Sequence, residues 1–241
     1  MPKSKKVLVI ACIPAYNEEA TITNVIKTAE EYVDLVIVCD DGSTDRTSEI
    51  AKKLGALVIK HGENKGYGAA LRSLFLKARE LEADVMVTLD ADGQHDPRAI
   101  PMLIEPILSG KADIVIGSRF LNVQTKKEIP LYRRIGIYLI TILTNFLIVR
   151  SQTITDAQSG FRAYGKKALK SILPRLRGMC ASIDILWQAS RNDLRIVEVP
   201  VSIKYFKMSR TSPIKHGLEL IIAILRLTIE RWLSKLLAPK G

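Results

Sequence analysis

The sequence predicts an α/β fold in which helices flank a mainly parallel sheet. The first half alternates short β-branched runs with amphipathic stretches, the rhythm of successive strand–helix–strand units. The chain has 241 residues, 47% of them hydrophobic, so it can bury one substantial core. The predicted strands are residues 7–13, 35–39, 56–59, 85–89 and 113–116.

The chain is strongly basic. It carries 36 Lys and Arg residues against 25 Asp and Glu, a net charge of +11. This excess favours a polyanionic partner, whether nucleic acid, anionic lipid or phosphorylated substrate. Aromatic residues make up only 6% of the chain and are not interleaved with the basic ones, so the stacking surface of a nucleic-acid-binding protein is missing. We therefore expect no nucleic-acid partner.

The cysteines and the N-terminus predict a cytoplasmic protein. Cys12, Cys39 and Cys180 are widely spaced and odd in number, which argues against a disulfide framework or a zinc site and for a reducing compartment. The first apolar run is interrupted by Pro14 and polar residues, unlike a secretory signal.

Acidic and amide side chains directly follow the fourth predicted strand, in the stretch Asp90-Ala91-Asp92-Gly93-Gln94. The carboxyl ends of parallel strands form the ligand-binding edge of such a sheet. Two carboxylates lie two residues apart beside an amide, and Mg²⁺ or Mn²⁺ prefers such oxygen ligands. The sequence therefore predicts a divalent-cation site at Asp90, Asp92 and Gln94. The alternative for so short a motif is a solvated turn.

Polar clusters also follow the first two strands. Residues 14–19 read Pro-Ala-Tyr-Asn-Glu-Glu, and residues 40–45 read Asp-Asp-Gly-Ser-Thr-Asp. Taken singly they have a local explanation, because Asn17 and Ser43 are residue types that cap helix starts. Three ordered clusters at three strand ends are more than loop composition requires, and a shared binding site is the better interpretation.

Together these motifs resemble the nucleotide-sugar-binding half of family 2 glycosyltransferases, which implies the GT-A fold, a Rossmann-like sheet flanked by helices. The residues predicted to bind the donor also include Asp90, Ala91, Asp92 and Gln94, where the cation neutralises the diphosphate leaving group. The family positions that contact the base and ribose of the donor correspond here to Pro14, Tyr16, Glu18 and Asp41.

Residues 117–120, Arg133-Arg134 and residues 155–162 resemble the dolichyl-phosphate mannose and glucose synthases, so the likeness covers about residues 7–217. It implies that Arg119 and Arg133 clamp the acceptor phosphate or the donor diphosphate, a task suited to the guanidinium fork. Asp156 is the candidate for orienting the acceptor or the sugar. The alternatives are a basic helix start at a lipid surface for Arg133 and a structural hydrogen bond for Asp156.

One loop departs from these relatives, which usually carry an arginine and a Gly-x-Ser-Lys stretch after a Val-Pro strand. Here Val199-Pro200 is followed by Lys207 and Ser209-Arg210. We interpret Lys207 as the replacement for the donor-binding arginine. Lysine offers a point charge instead of a planar fork, so donor affinity is expected to differ from that of the relatives.

Two apolar segments of the second half predict contact with a membrane surface. The run at residues 135–149 is shorter than the roughly 18 residues of a membrane span. Residues 218–237 place apolar side chains at helical spacing opposite a polar stripe. We predict a catalytic domain at residues 1–217, with an interface helix at about 132–150, and a C-terminal amphipathic helix at 218–241. The alternative is packing against the domain, a second copy or a membrane partner subunit.

The hypothesis for function is the inverting transfer of a hexose from a nucleotide-diphosphate sugar, of the GDP-mannose or UDP-glucose type, to dolichyl or polyprenyl phosphate at the cytoplasmic face of a membrane. A phosphate monoester has its second pKa near roughly 6 and is mostly an oxyanion at neutral pH. No general base is then required, and no histidine is assigned a catalytic role. The alternatives are a non-lipid acceptor and a sugar nucleotidyltransferase. The catalytic roles fall to Asp92, Asp156, Arg119 and Arg133.

Overall fold

A computed structural model describes residues 6–149, 152–204 and 213–236 of the chain. Its strands are β1 Val9–Ala15, β2 Leu35–Asp40, β3 Leu57–Lys60, β4 Val85–Thr88, β5 Ile114–Ser118, β6 Arg162–Gly165 and β7 Ile196–Pro200. They form one sheet in the order β3-β2-β1-β4-β6-β5-β7. Neighbouring strands are parallel except that β6 runs antiparallel to both β4 and β5. The prediction of a mainly parallel sheet is confirmed.

Helices cover both faces of this sheet. The α-helices are α1 Ile22–Ala29, α2 Thr47–Lys53, α3 Tyr67–Glu80, α4 Ile100–Leu108, α5 Val123–Glu128, α6 Leu131–Thr144, α7 Lys166–Ser171, α8 Cys180–Arg191 and α9 Pro213–Leu236. A π-helical segment at Asn145–Val149 continues α6. The continuous helix therefore starts four residues earlier than the predicted apolar run at 135–149.

Strand β1 is buried along its whole length and separates two hydrophobic cores. Successive side chains of a strand point to opposite faces. Ile10 and Cys12 accordingly pack into the core beneath α3, α8 and α9. Ala11 and Ile13 pack into the core beneath α1, α2 and α4. The helices thus hold the sheet from both sides and fix the strand ends in space.

The observed strands differ from the predicted ones in their bounds and in their number. Strand β1 ends at Ala15 instead of residue 13, so it includes Pro14. Because β4 pairs only with Val9–Cys12, Pro14 has a neighbour on the β2 side alone, where a strand tolerates proline. Strand β6 was not predicted, since its antiparallel pairing joins Arg162 to residues far away in sequence.

Helices α6 and α9 pack against each other and leave a broad apolar surface. Residues such as Ile140 on α6 and Leu220, Ile224 and Leu227 on α9 are buried. We call the outward face the α6–α9 surface. It comprises the exposed residues Leu131, Tyr132, Ile135, Tyr138, Leu139, Ile142, Phe146, Leu218, Ile221, Ile222, Leu225, Ile229, Trp232 and Leu233.

The fold predicts opposite effects of the same substitution at two helical glycines. A Cβ added at Gly68 in α3 would meet the Leu176 carbonyl oxygen and lie 3.2 Å from the Arg177 backbone, whereas one at Gly136 in α6 would meet nothing within 4 Å. We expect Gly68→Ala to lower the free energy of unfolding by about 1–3 kcal/mol through overpacking. Gly136→Ala should raise it by about 0.5–1 kcal/mol, since alanine is the better helix former. Urea unfolding of both variants tests this, and equal stabilities would contradict it.

Candidate active site

A cleft of about 740 Å³ opens at the carboxyl ends of β1, β2 and β4. Asp92, Asp41 and Tyr16, which follow three different strands, all line it. It therefore brings together the three polar clusters that the sequence singled out. The predicted site residues that line the cleft are Pro14, Tyr16, Glu18, Asp41, Asp90, Ala91, Asp92, Gln94, Arg119 and Arg133.

The loops after β1 and β2 are joined to each other by hydrogen bonds. The Asn17 amide N donates to Ser43 Oγ at 2.9 Å, and the Thr44 amide N donates to Asn17 Oδ1 at 2.9 Å. The local explanation, in which Asn17 and Ser43 cap helix starts, is therefore wrong. The N-cap residues are Thr21 for α1 and Arg46 for α2. These cross-links fix the backbone on either side of Asn17, and so fix how Tyr16 and Glu18 enter the cleft.

Asp41 is almost fully buried and is held by three donors. Its Oδ1 accepts from the Lys65 amide at 3.0 Å and lies 2.6 Å from His61 Nδ1, and its Oδ2 accepts from the Gly66 amide at 2.7 Å. Since Gly66 is the N-cap residue of α3, the carboxylate also fastens the start of that helix. His61 was missed at the sequence level, although it directly follows β3 and so stands at a further strand end.

Asp90 and Asp92 lie together in the loop after β4. Burial raises the pKa of Asp90 to about 6, against the opposing effects of Arg119 and a hydrogen bond from Tyr67. Burial and the charge of Asp90 raise the pKa of Asp92 as well. A carboxylate pair whose members disfavour each other's ionisation is stabilised by a divalent cation between them.

The residues present fit Mg²⁺ or Mn²⁺. Asp92 accepts from the Gln94 backbone N at 3.0 Å and from Gln94 Nε2 at 2.6 Å, so these two side chains already adjoin. Among the residues that the structure describes, no group of three or more His, Cys, Asp or Glu side chains is arranged as a metal site. A site with one or two carboxylates suits these cations, which complete their coordination shell with water and substrate phosphates.

His95 also lines the cleft, where it contacts the loop that carries Asp90 and Asp92. Its Nδ1 accepts from the Asp90 backbone N at 3.3 Å, and burial lowers its pKa to about 4. The ring is therefore neutral at neutral pH, and its 3.6 Å approach to the Asp90 carboxylate is not an ion pair. Its ring centroid lies 5.1 Å from that of Phe161, which holds it in place.

Asp156 lies behind Arg119 and does not line the cleft. Arg119 Nε and Nη2 each donate to the Asp156 carboxylate at 2.6 Å, and Asp156 is fully buried. Glu198 on β7 in turn accepts from the Asp156 backbone N at 3.0 Å and from Thr155. The geometry favours the structural alternative for Asp156, as a residue that orients Arg119. Glu198, missed at the sequence level, anchors that pair.

Two predicted residues, Arg133 and Lys207, lie outside the three polar clusters of the sequence. Arg133 reaches the cleft from the first turn of α6, so the helix that carries the α6–α9 surface also contributes to the site. Lys207 lies outside the described residues.

The sheet and the acidic clusters at three strand ends are those expected of a GT-A glycosyltransferase, and the comparison with protein families assigns the chain to that class. The chain belongs to glycosyltransferase family 2: the family described as "Glycosyl transferase family 2" matches residues 10–173. Glucosyl-3-phosphoglycerate synthase of Mycobacterium tuberculosis has the same fold, with a TM-score of 0.71 at 23% identity, covering 92% of this chain and 81% of that one. The predicted GT-A fold is confirmed.

Curated relatives place the chain within this family. UDP-N-acetylglucosamine--dolichyl-phosphate N-acetylglucosaminyltransferase of Methanococcus voltae is 35% identical, covering 94% of this chain and 98% of that protein. Polyprenol monophosphomannose synthase of Mycolicibacterium smegmatis is 31% identical, covering 83% and 77%. The predicted resemblance to the dolichyl-phosphate sugar synthases is confirmed.

The carboxylate geometry predicts the effect of removing Asp92. Asp92→Ala should weaken Mn²⁺ binding by at least about tenfold, because one of two half-buried carboxylates is lost. Asp96→Asn is the matched control, since Asp96 lies in the same loop but its carboxylate contacts Arg98, whose amide donates to it and whose Nη1 lies 3.5 Å from it. Calorimetric titration of each variant with Mn²⁺ and a nucleoside diphosphate measures this. Equal affinities in all three proteins would remove the cation assignment.

Proposed function

We propose that this protein transfers a hexose or N-acetylhexosamine from a nucleotide-diphosphate sugar to dolichyl or polyprenyl phosphate, with inversion at the anomeric carbon. The observation that carries the proposal is the single cleft in which Asp41, Asp92 and Arg133 meet. The names of the two relatives, one acting on dolichyl phosphate and the other making a polyprenol phosphomannose, support the acceptor class.

The donor is proposed to lie along the strand ends. Pro14, Tyr16, Glu18 and Asp41 would contact the base and ribose, and Asp90, Asp92 and Gln94 would hold Mg²⁺ or Mn²⁺. Such a cation neutralises charge on a departing diphosphate. One structure of the M. tuberculosis synthase contains Mn²⁺ and UDP, which supports a cation for this fold. The name of the Methanococcus relative adds UDP-N-acetylglucosamine to the GDP-mannose and UDP-glucose donors expected from sequence.

The acceptor phosphate is proposed to be bound by Arg119 and Arg133. A phosphate oxygen attacks the anomeric carbon, and the bond from that carbon to the diphosphate oxygen breaks on the opposite face. The phosphate is mostly ionised already, so no residue has to remove a proton from it. The neutral, inward-facing His95 agrees with this, since its lone pair accepts from a backbone amide. Asp156 and Glu198 are positioning residues, which hold Arg119 for the phosphate.

The α6–α9 surface is proposed to rest on the cytoplasmic face of a membrane. The helix at Leu131–Val149 is long and apolar enough to cross a membrane by length and composition alone. Yet one third of it is buried against the domain, and Arg133 in its first turn faces the cleft. A helix that is tied to a polar active site on one side and apolar on the other suits the interface better than the bilayer core.

An alternative acceptor has a specific observation behind it. Several solved structures of the same fold are of a synthase whose acceptor, by its name, is 3-phosphoglycerate, which is a soluble phosphate. The exposed α6–α9 surface favours the lipid, because a soluble acceptor gives such an apolar face no use.

A transfer assay tests the proposal directly. With Mn²⁺ or Mg²⁺, the protein should convert a polyprenyl phosphate and one of UDP-N-acetylglucosamine, UDP-glucose or GDP-mannose into a glycolipid, which mass spectrometry detects. Arg133→Ala should lower kcat/KM for the lipid by about tenfold or more, because one charge-assisted hydrogen bond to the phosphate is lost. Transfer to 3-phosphoglycerate alone would establish the soluble acceptor, and a retained anomeric configuration would exclude the single displacement.

Vesicle binding tests the membrane surface. Substituting Ile222 and Ile229 together by Glu should weaken binding to vesicles with anionic lipid by at least about tenfold, because two exposed apolar side chains of the α6–α9 surface become charged. Leu108→Glu is the control, since Leu108 is equally exposed, at 52%, but ends α4. Flotation of the three proteins measures the effect. Equal binding would assign the surface to a protein partner or a second copy.

A further inference from the structure

We propose that His61 is a positioning residue for the nucleotide, acting through Asp41. The inference rests on the proposed function, since it concerns the affinity for the nucleotide part of the donor. Of the two histidines whose side chains the structure describes, His61 contacts a predicted base- or ribose-binding carboxylate without lining the cleft, whereas His95 lines the cleft.

The His61 ring is fixed at both nitrogens. Nδ1 lies 2.6 Å from Asp41 Oδ1, which can only accept when ionised, so Nδ1 carries the proton. Nε2 lies 2.9 Å from Ser73 Oγ on α3 and 3.7 Å from Cys39 Sγ. With the proton on Nδ1, Nε2 can accept from the Ser73 hydroxyl, and the whole group is largely buried, with 10% of the His61 side chain exposed. A histidine held this way permits one orientation of the carboxylate that it contacts.

This arrangement leaves one edge of Asp41 for a ligand. Oδ1 already has two donors, His61 and the Lys65 amide. Within the described part of the chain, Oδ2 accepts from the Gly66 amide alone and can take a second donor. Asp41 lines the cleft, so that second donor can be an N–H of a nucleobase or a ribose hydroxyl. Uracil and guanine both present such N–H groups.

The backbone around Asp41 makes the orientation depend on His61. Gly42 has a φ of +78°, and a Cβ there would lie 2.5 Å from the Glu63 backbone, so the turn after Asp41 packs tightly on the loop that follows His61. The two backbone amides bind Asp41 from the start of α3, and His61 binds it from the end of β3. Without the ring, the carboxylate loses its one charge-assisting side-chain partner and can rotate out of the position that meets the ligand.

The competing explanation is that His61 only stabilises the fold by tying β3 to α3. The two roles predict different effects when the ring is replaced by asparagine or by glutamine. The amide nitrogen of an asparagine occupies about the place of Nδ1, whereas that of a glutamine occupies the place of Nε2. Nucleotide positioning requires a donor at the Nδ1 place, so asparagine should serve and glutamine should not.

The experiment measures binding of UDP and of GDP, each with Mn²⁺, by calorimetry on the full chain. We expect His61→Gln to lower the affinity for whichever nucleotide the wild type binds by about tenfold, because one hydrogen bond to a charged group usually contributes that much. The affinity of His61→Asn should stay within about threefold of wild type. In the transfer assay, His61→Gln should raise KM for the donor by a similar factor and change kcat little, as for loss of uniform binding. In an Asp41→Ala background, His61→Gln should cause no further loss.

Several outcomes would overturn the proposal. These are unchanged nucleotide affinity in His61→Gln, equal losses in the Asn and Gln variants with a parallel fall in melting temperature, and additive losses when His61→Gln is combined with Asp41→Ala. If His61→Gln does not fold, failure of His61→Asn to bind nucleotide while remaining folded overturns it as well. If the wild type binds neither nucleotide, the proposed function is refuted. If the wild type and every His61 variant bind nucleotide equally well, only the role of His61 is refuted.

Discussion

The site depends on how the fold treats negative charges gathered at one edge of a parallel sheet. Asp41, Asp90 and Asp92 all stand where β2 and β4 end; Asp41 is buried, and Asp90 and Asp92 are half-buried. A buried carboxylate needs donors or a counter-charge. The three carboxylates differ in how far the protein compensates their charge, and this difference divides the cleft into two ends.

At one end the protein itself satisfies the charge. Asp41 receives two backbone amides and the ring of His61, so it is a fixed acceptor. At the other end the charge is left incompletely compensated, because burial raises the pKa of both Asp90 and Asp92 and Arg119 is shared with Asp156. The first arrangement suits recognition of neutral N–H and O–H groups. The second suits a cation that arrives with a diphosphate.

The sequence predicted the parts of this site that are local. Asp90, Asp92 and Gln94 lie within five residues, and their position after an apolar run is enough to locate them at a strand end. The roles that depend on distant contacts were not predictable. Asp156 and Arg119 are 37 residues apart, and His61 stands 20 residues from Asp41 on another strand. The antiparallel β6 belongs to the same class, since nothing in its four residues specifies which strands it joins.

Helix α6 connects the chemistry to the surface. Its first turn carries Arg133 into the cleft, while Tyr138, Ile142 and Phe146 further along point outward. An acceptor with an anionic head and a long apolar tail matches this arrangement, because the head can reach Arg133 while the tail stays with the lipid beneath the α6–α9 surface. A soluble phosphate would use only the first of these features. The same helix therefore supports the proposed lipid acceptor and the proposed reaction at a membrane surface.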